Sequence, residues 1–144
     1  MPMKLEIITA EKVVLSDEVD LVVAPGIEGA LGILPHHAPL MTILQPGEIM
    51  VRKGGQDSYL AVSGGFLEVM GNRVTILAEA AERSEEIDEQ RAQAAIQRAK
   101  ERIAQHPADL DLERALAAIR RAEVRLKVAR RRRERPGPVP GQQP

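Results

Sequence analysis

Val74-Thr75-Ile76-Leu77-Ala78-Glu79-Ala80-Ala81-Glu82-Arg83-Ser84-Glu85-Glu86-Ile87-Asp88-Glu89-Gln90-Arg91-Ala92 holds two kinds of sequence back to back. Val74–Leu77 is a short run rich in branched residues, the composition of a strand. From Ser84 no glycine occurs until Gly137, and Ala, Glu, Gln and Arg dominate, all strong helix formers. The change near residue 83 decides the fold: strands before it, helices after it.

Upstream, further strand-like runs are Leu5–Ile8, Val19–Val23, Ala30–Leu34, Leu40–Leu44, Glu48–Arg52, Ser58–Val62 and Phe66–Met70. Turn chemistry separates them, as at Pro25-Gly26, Pro46-Gly47, Gly54-Gly55, Gly64-Gly65 and Gly71-Asn72. Helical periodicity is missing throughout. The pattern predicts an N-terminal antiparallel β-sandwich, or flattened barrel, of about ten strands over residues 1–83. Downstream, Ala92, Ile96, Ala99 and Ile103 form one helical stripe, and Leu112, Leu116, Ile119, Ala122, Leu126 and Ala129 form a second. Pro107 ends the first helix, and Asp109 or Asp111 can cap the next. A break this short predicts an antiparallel two-helix hairpin over 84–135. Its seam is rich in alanine, so it buries little and must dock on something or change conformation. The Pro/Gly/Gln-rich tail 136–144 is expected to be disordered.

Composition narrows the function. The 144 residues include no cysteine, which excludes disulfides and thiolate metal sites and suggests a reducing, cytoplasmic setting. One Phe, one Tyr and no Trp leave little on which bases or sugars could stack. No apolar run approaches the ~20 residues of a membrane span, and no signal peptide is evident. Residues 1–83 carry 6 basic and 11 acidic groups, whereas 84–135 carry 14 basic and 10 acidic. A basic C-terminal half suits an acidic partner.

Three features could carry chemistry. Asp88 and Arg91 are three apart on a helix and could form a surface ion pair that also caps it. Alternatively, Arg91 and Arg98 share one helical face, Arg121 and Arg125 another, and closing the hairpin gathers them with Asp88 at its open end. Such a cluster is neutralised by a polyphosphate, whose oxygens guanidinium groups bind bidentately. The run Arg130-Arg131-Arg132-Arg133-Glu134-Arg135 has three readings: a nucleic-acid contact, a dock for an acidic protein, or a solvated helix end favoured by the dipole. His36, His37 and His106 do not make a convincing metal site, since an adjacent pair on a loop does not converge. Neither a GxxxxGK[ST] loop nor a nucleophile elbow is present, so no enzyme activity is expected.

Four segments carry a family resemblance: Leu31-Gly32-Ile33-Leu34-Pro35-His36-His37-Ala38-Pro39-Leu40, Ser63-Gly64-Gly65-Phe66-Leu67-Glu68-Val69, Val74–Ala81, and Ile87-Asp88-Glu89-Gln90-Arg91-Ala92. In order and in register, they resemble the epsilon subunits of bacterial F-type rotary ATP synthases over about residues 3–130. The resemblance implies a non-catalytic subunit of the central rotor stalk, on the cytoplasmic face of the bacterial plasma membrane. Its sandwich would bind the gamma subunit and sit on the c-ring. Its hairpin would fold against the sandwich or open along gamma into the alpha/beta catalytic head, blocking ATP hydrolysis. The resemblance also implies that ATP binds the folded hairpin as a regulatory ligand, through Glu82, Ile87, Asp88, Arg91, Ala92, Arg98, Arg121 and Arg125. Glu28 and His37 are the implied contacts of the sandwich with the ring and gamma. Arg130, Arg131, Arg132 and Arg133 would meet an acidic segment of the beta subunit. His36 departs from the glycine common in the family, and Ala30 from a frequent glutamate. The competing reading is a stand-alone β-module that binds an acidic partner or nucleic acid through its Arg-rich end.

Overall fold

The structure, a computed structural model, describes residues 2–105 and 111–134, with side chains as far as Arg131. The chain runs through ten strands: β1 Met3–Ile8, β2 Val13–Val19, β3 Leu21–Gly26, β4 Gly29–Ile33, β5 Leu40–Leu44, β6 Gly47–Lys53, β7 Gln56–Val62, β8 Gly65–Met70, β9 Arg73–Ala78 and β10 Ala81–Arg83. A short 3-10 turn, Ser84–Glu86, leads to α1 Glu89–Gln105 and α2 Leu112–Glu134. The strands form one sheet in the order β10-β7-β6-β3-β5-β8-β9-β1-β2, with β4 on β3. It curls until β2 approaches β6, where Lys53 Nζ donates to both oxygens of Asp17 at 2.8 Å. The result is a nearly closed sandwich.

Alternation along the strands builds the core. Met3, Leu5 and Ile7 of β1 point inward, as do Ile49 and Val51 of β6, Leu67 and Val69 of β8, and Val74 and Ile76 of β9, all essentially inaccessible. With almost no aromatics, branched and unbranched aliphatics fill this interior.

Three details differ from the sequence-based expectation. Val19–Val23 is not one strand: it breaks at Asp20, whose N–H donates to the Arg52 carbonyl and whose carboxylate accepts the Gly54 N–H. Val13–Val19 is a strand of its own, and Ala81–Arg83 adds a tenth that pairs with β7. Every pairing is antiparallel except that of β1 with β9, which run parallel in register from Lys4 with Arg73 to Ile8 with Leu77.

The helices pack together and against the sheet. Glu89 at the start of α1 meets Arg130 near the end of α2, so they run antiparallel. Ile87, Val128 and Ala129 bury themselves with Ala61 of β7, flanked by Tyr59 and Val124. Val128 and Val124 were not on the expected stripe, because α2 faces the sheet as well as α1. Leu112 and Leu116, which were on it, remain about half exposed. Asp111 caps α2 by accepting the Arg114 N–H at 3.2 Å. His106, Pro107, Asp109 and the tail 136–144 lie outside the described residues, as do the side chains of Arg132 and Arg133.

Candidate functional site

A groove of about 320 Å³ runs between the hairpin and the β7–β10 edge of the sheet. Ala95 of α1, Ala118 and Ala122 of α2 and Ala61 of β7 line it, with Glu82, Arg121 and Arg125 as its charged members. Small side chains leave this space open, since none reaches across it.

Glu82 lies in the edge strand β10, where pairing with Ala61 fixes its backbone. Arg125 Nε and Nη2 donate to its two oxygens at 2.6 and 3.0 Å, a bidentate pair with both side chains one-third exposed. Arg121, one turn earlier, is exposed and has no ion pair among the described residues. On α1, Arg91 precedes Ala95 by four residues and Arg98 follows it by three, so both share its side of the helix. Both are exposed and likewise unpaired among the described residues. Arg121 and Arg125 thus line the groove against the one carboxylate of Glu82, and Arg91 and Arg98 lie on the α1 face that carries Ala95, an excess of positive charge that favours an anion.

Three further residues of the expected site have structural roles in this arrangement. The Asp88 carboxylate accepts the Arg91 N–H at 3.1 Å as an N-cap, and no Asp88–Arg91 ion pair forms. Ile87 and Ala92 are buried, at 2% and 0% exposure, so their side chains pack the hairpin.

The partner-facing residues divide similarly. Glu28 is exposed in the β3–β4 turn, and a His37 ring nitrogen lies 2.7 Å from the Ala38 carbonyl. Arg130 pairs with Glu89 at 3.6 Å. Arg131 binds Glu48 through two bonds of 2.9 and 3.0 Å and stacks on the Tyr59 ring at 4.8 Å. In this arrangement these two arginines engage carboxylates of their own chain, as an arginine-rich helix does when acidic groups lie beneath it.

A feature not expected from the sequence crosses the outer face of the sandwich. Ile43, Phe66, Leu77, Ile8 and Val13 stand directly opposite one another on β5, β8, β9, β1 and β2. Residues paired this way share a face. Ile43, Phe66, Leu77 and Val13 are each about half exposed, and Met41 beside them is 69% exposed. The patch exposes on the order of 400–500 Å² of apolar surface, the scale of an interaction site.

The match to known proteins covers both parts of the chain. Residues 2–84 match the family model of the ATP synthase delta/epsilon chain β-sandwich domain, and residues 85–130 that of its long α-helix domain. The chain belongs to the ATP synthase delta/epsilon family. The ATP synthase epsilon chain of Herpetosiphon aurantiacus is 56% identical over 135 residues, covering 94% of this chain and 99% of that one. That of Carboxydothermus hydrogenoformans is 57% identical over 101 residues, 70% of this chain and 75% of its own. These bacterial relatives make the chain an epsilon-type subunit of an ATP synthase. The fold recurs in a chain of the Euglena gracilis mitochondrial ATP synthase, with a TM-score of 0.66 at 24% identity over 92% of this chain and 80% of that one. A chain of the Tetrahymena thermophila mitochondrial ATP synthase central stalk and c-ring gives 0.60 at 18%, over 90% and 97%. No helix among the described residues of this epsilon-type chain is long and apolar enough to cross a membrane.

Proposed function

We propose that this epsilon-type chain couples the gamma subunit to the c-ring, and that its hairpin restrains ATP hydrolysis when it leaves the sandwich. Residues 1–83 are the coupling unit and 84–135 the regulatory one, on the cytoplasmic face of a bacterial plasma membrane. The gamma subunit occupies the apolar row on β5, β8, β9, β1 and β2, and the Glu28 and His37 loops face the ring. ATP is a regulatory ligand of the folded hairpin, held by Arg91, Arg98, Arg121 and Arg125 at the alanine-lined groove.

One observation carries this reading: the inequality of the two packings. Eighteen buried side chains hold the sandwich core, whereas the hairpin meets the sheet through Ile87, Val128, Ala129 and Ala61. Burying Val128 and Ala129 contributes about 3 kcal/mol, which a competing surface can replace. The test is ATPase assay of the catalytic head with gamma, adding either the full chain or one lacking residues 109–144. Inhibition by the full chain alone supports the proposal; equal inhibition by both refutes the hairpin's role. Calorimetry with millimolar ATP tests the ligand, with Arg91→Ala and Arg125→Ala expected to weaken or abolish the heat. No heat with the unmodified chain removes ATP from the reading.

A further inference from the structure

We infer that Arg131, clasped by Glu48 and seated on Tyr59, is an ionic latch that sets how often α2 leaves the sheet. This rests on the proposal that the hairpin undocks. Among the described residues three ion pairs tie α2 to the rest of the chain, and they are not equal. Arg130–Glu89 approaches only to 3.6 Å, with Arg130 half exposed, and although the Glu89 side chain is 13% exposed it belongs to α1, so this pair ties the two helices to each other and not to the sheet. Arg125–Glu82 is short but one-third exposed on both sides, and it lies at the groove where a ligand would compete for the same guanidinium.

Arg131–Glu48 differs in its foundation. Glu48 belongs to β6 and pairs with Ala61 of β7, so its backbone cannot follow the helix. Its side chain is only 14% exposed, and both oxygens receive a guanidinium N–H. The Tyr59 ring on β7 supports the same guanidinium from its face. Arg131 follows Val128 by three residues, so the latch continues the apolar contact that Val128 and Ala129 make with the sheet. With so little apolar surface holding the helix, a charged pair on a rigid strand decides the balance. Its contribution falls with ionic strength, which apolar burial would not do.

The two halves of the latch are asymmetric. Removing Arg131 leaves a poorly solvated carboxylate beneath a docked helix, and undocking relieves it. Neutralising Glu48 leaves a guanidinium that still stacks on Tyr59 and reaches water.

Amide hydrogen exchange on the full-length chain reads the result. Arg131→Gln should speed exchange in residues 120–131 about tenfold and Glu48→Gln about threefold, with β6 and β7 amides unchanged. Raising the ionic strength from about 0.05 to about 0.5 M should speed the unmodified chain more than Arg131→Gln, which keeps only the Arg125–Glu82 and Arg130–Glu89 pairs among those named. The charge-swapped pair Glu48→Arg with Arg131→Glu should recover most of the protection. Unchanged α2 exchange in Arg131→Gln, alongside faster exchange in Val128→Ala, would sink the latch and leave the mobile hairpin standing. No acceleration by either variant would mean that α2 opens only with the sandwich, and both ideas fall. Lost protection in β6 and β7 together with α2 passes the decision to the swapped pair, where failure to recover overturns the latch.

Discussion

Phe66→Ala offers the sharpest test of the apolar row. Phe66 stands between Ile43 and Leu77 in the sheet and is 54% exposed, so about half of its side chain already meets water in the free chain. Truncation removes no core packing and forfeits only cross-strand contacts, worth about 0.5 kcal/mol. Folding stability should therefore barely move. Binding is another matter. The exposed part of a phenylalanine of this accessibility is roughly 100 Å², and covering it contributes about 2.5 kcal/mol. The variant should bind gamma with a Kd raised about fiftyfold to a hundredfold. Surface-immobilised gamma and the purified chain give the measurement, with thermal unfolding of the free chain alongside. Leu34→Ala is the control, because Leu34 is 61% exposed but lies outside the row. A change of less than threefold for Phe66→Ala, or an equal loss for both variants, would show that gamma does not dock on this row.

Three further outcomes can be measured on the chain alone. Gly65→Ala should destabilise the sandwich by about 3 kcal/mol or more, read by denaturant unfolding: Gly65 has φ +150°, and an added Cβ would lie 2.1 Å from the Leu77 carbonyl oxygen. His36→Gly should stabilise it by about 0.5 kcal/mol, since His36 holds φ +64° while its N–H donates to the Asn72 side chain at 2.8 Å. Lys53→Met should raise the Asp17 pKa in a carboxylate NMR titration. Lys53 and then the Glu18 N–H hold it below its ordinary 3.8, so the pair favours the fold above that pH and the benefit is lost as pH falls through the folded value.

Much of the sandwich was legible because its punctuation is local. Pro46-Gly47 and Gly54-Gly55 flank β6 as the turn residues promise, and the end of the glycine-containing stretch marks the passage to helices. Asp20 was read as strand because an isolated acidic residue among valines does not reveal that it will hold the Arg52 and Gly54 backbones. The β1–β9 pairing joins the two ends of the sandwich sequence, and no local pattern encodes it. The apolar row did leave a signal. Leu40–Leu44 is apolar at outward Met41 and Ile43 as well as inward Leu44, a two-sided pattern that a half-solvated sheet does not need. His36 also left one: a left-handed backbone is where a family glycine would sit without strain.

The arginines of the second helix were legible in number and not in destination. Their spacing shows which share a face, but whether each meets Glu82, Glu48, Glu89 or solvent depends on how the hairpin lies on a sheet formed by distant residues. That dependence bears on the proposed switch. A buried valine such as Val128 is accommodated only where a complementary apolar pocket exists, whereas a guanidinium accepts any suitably placed carboxylate pair. A helix that carries few large apolar side chains and many arginines therefore loses little specificity when it changes surfaces. It can exchange Glu48 and Glu82 for the carboxylates of a partner at small net cost, because bonds of the same kind form on both sides. On that proposal the alanine seam serves the same end, since it leaves few large apolar side chains to fix the hairpin in one position.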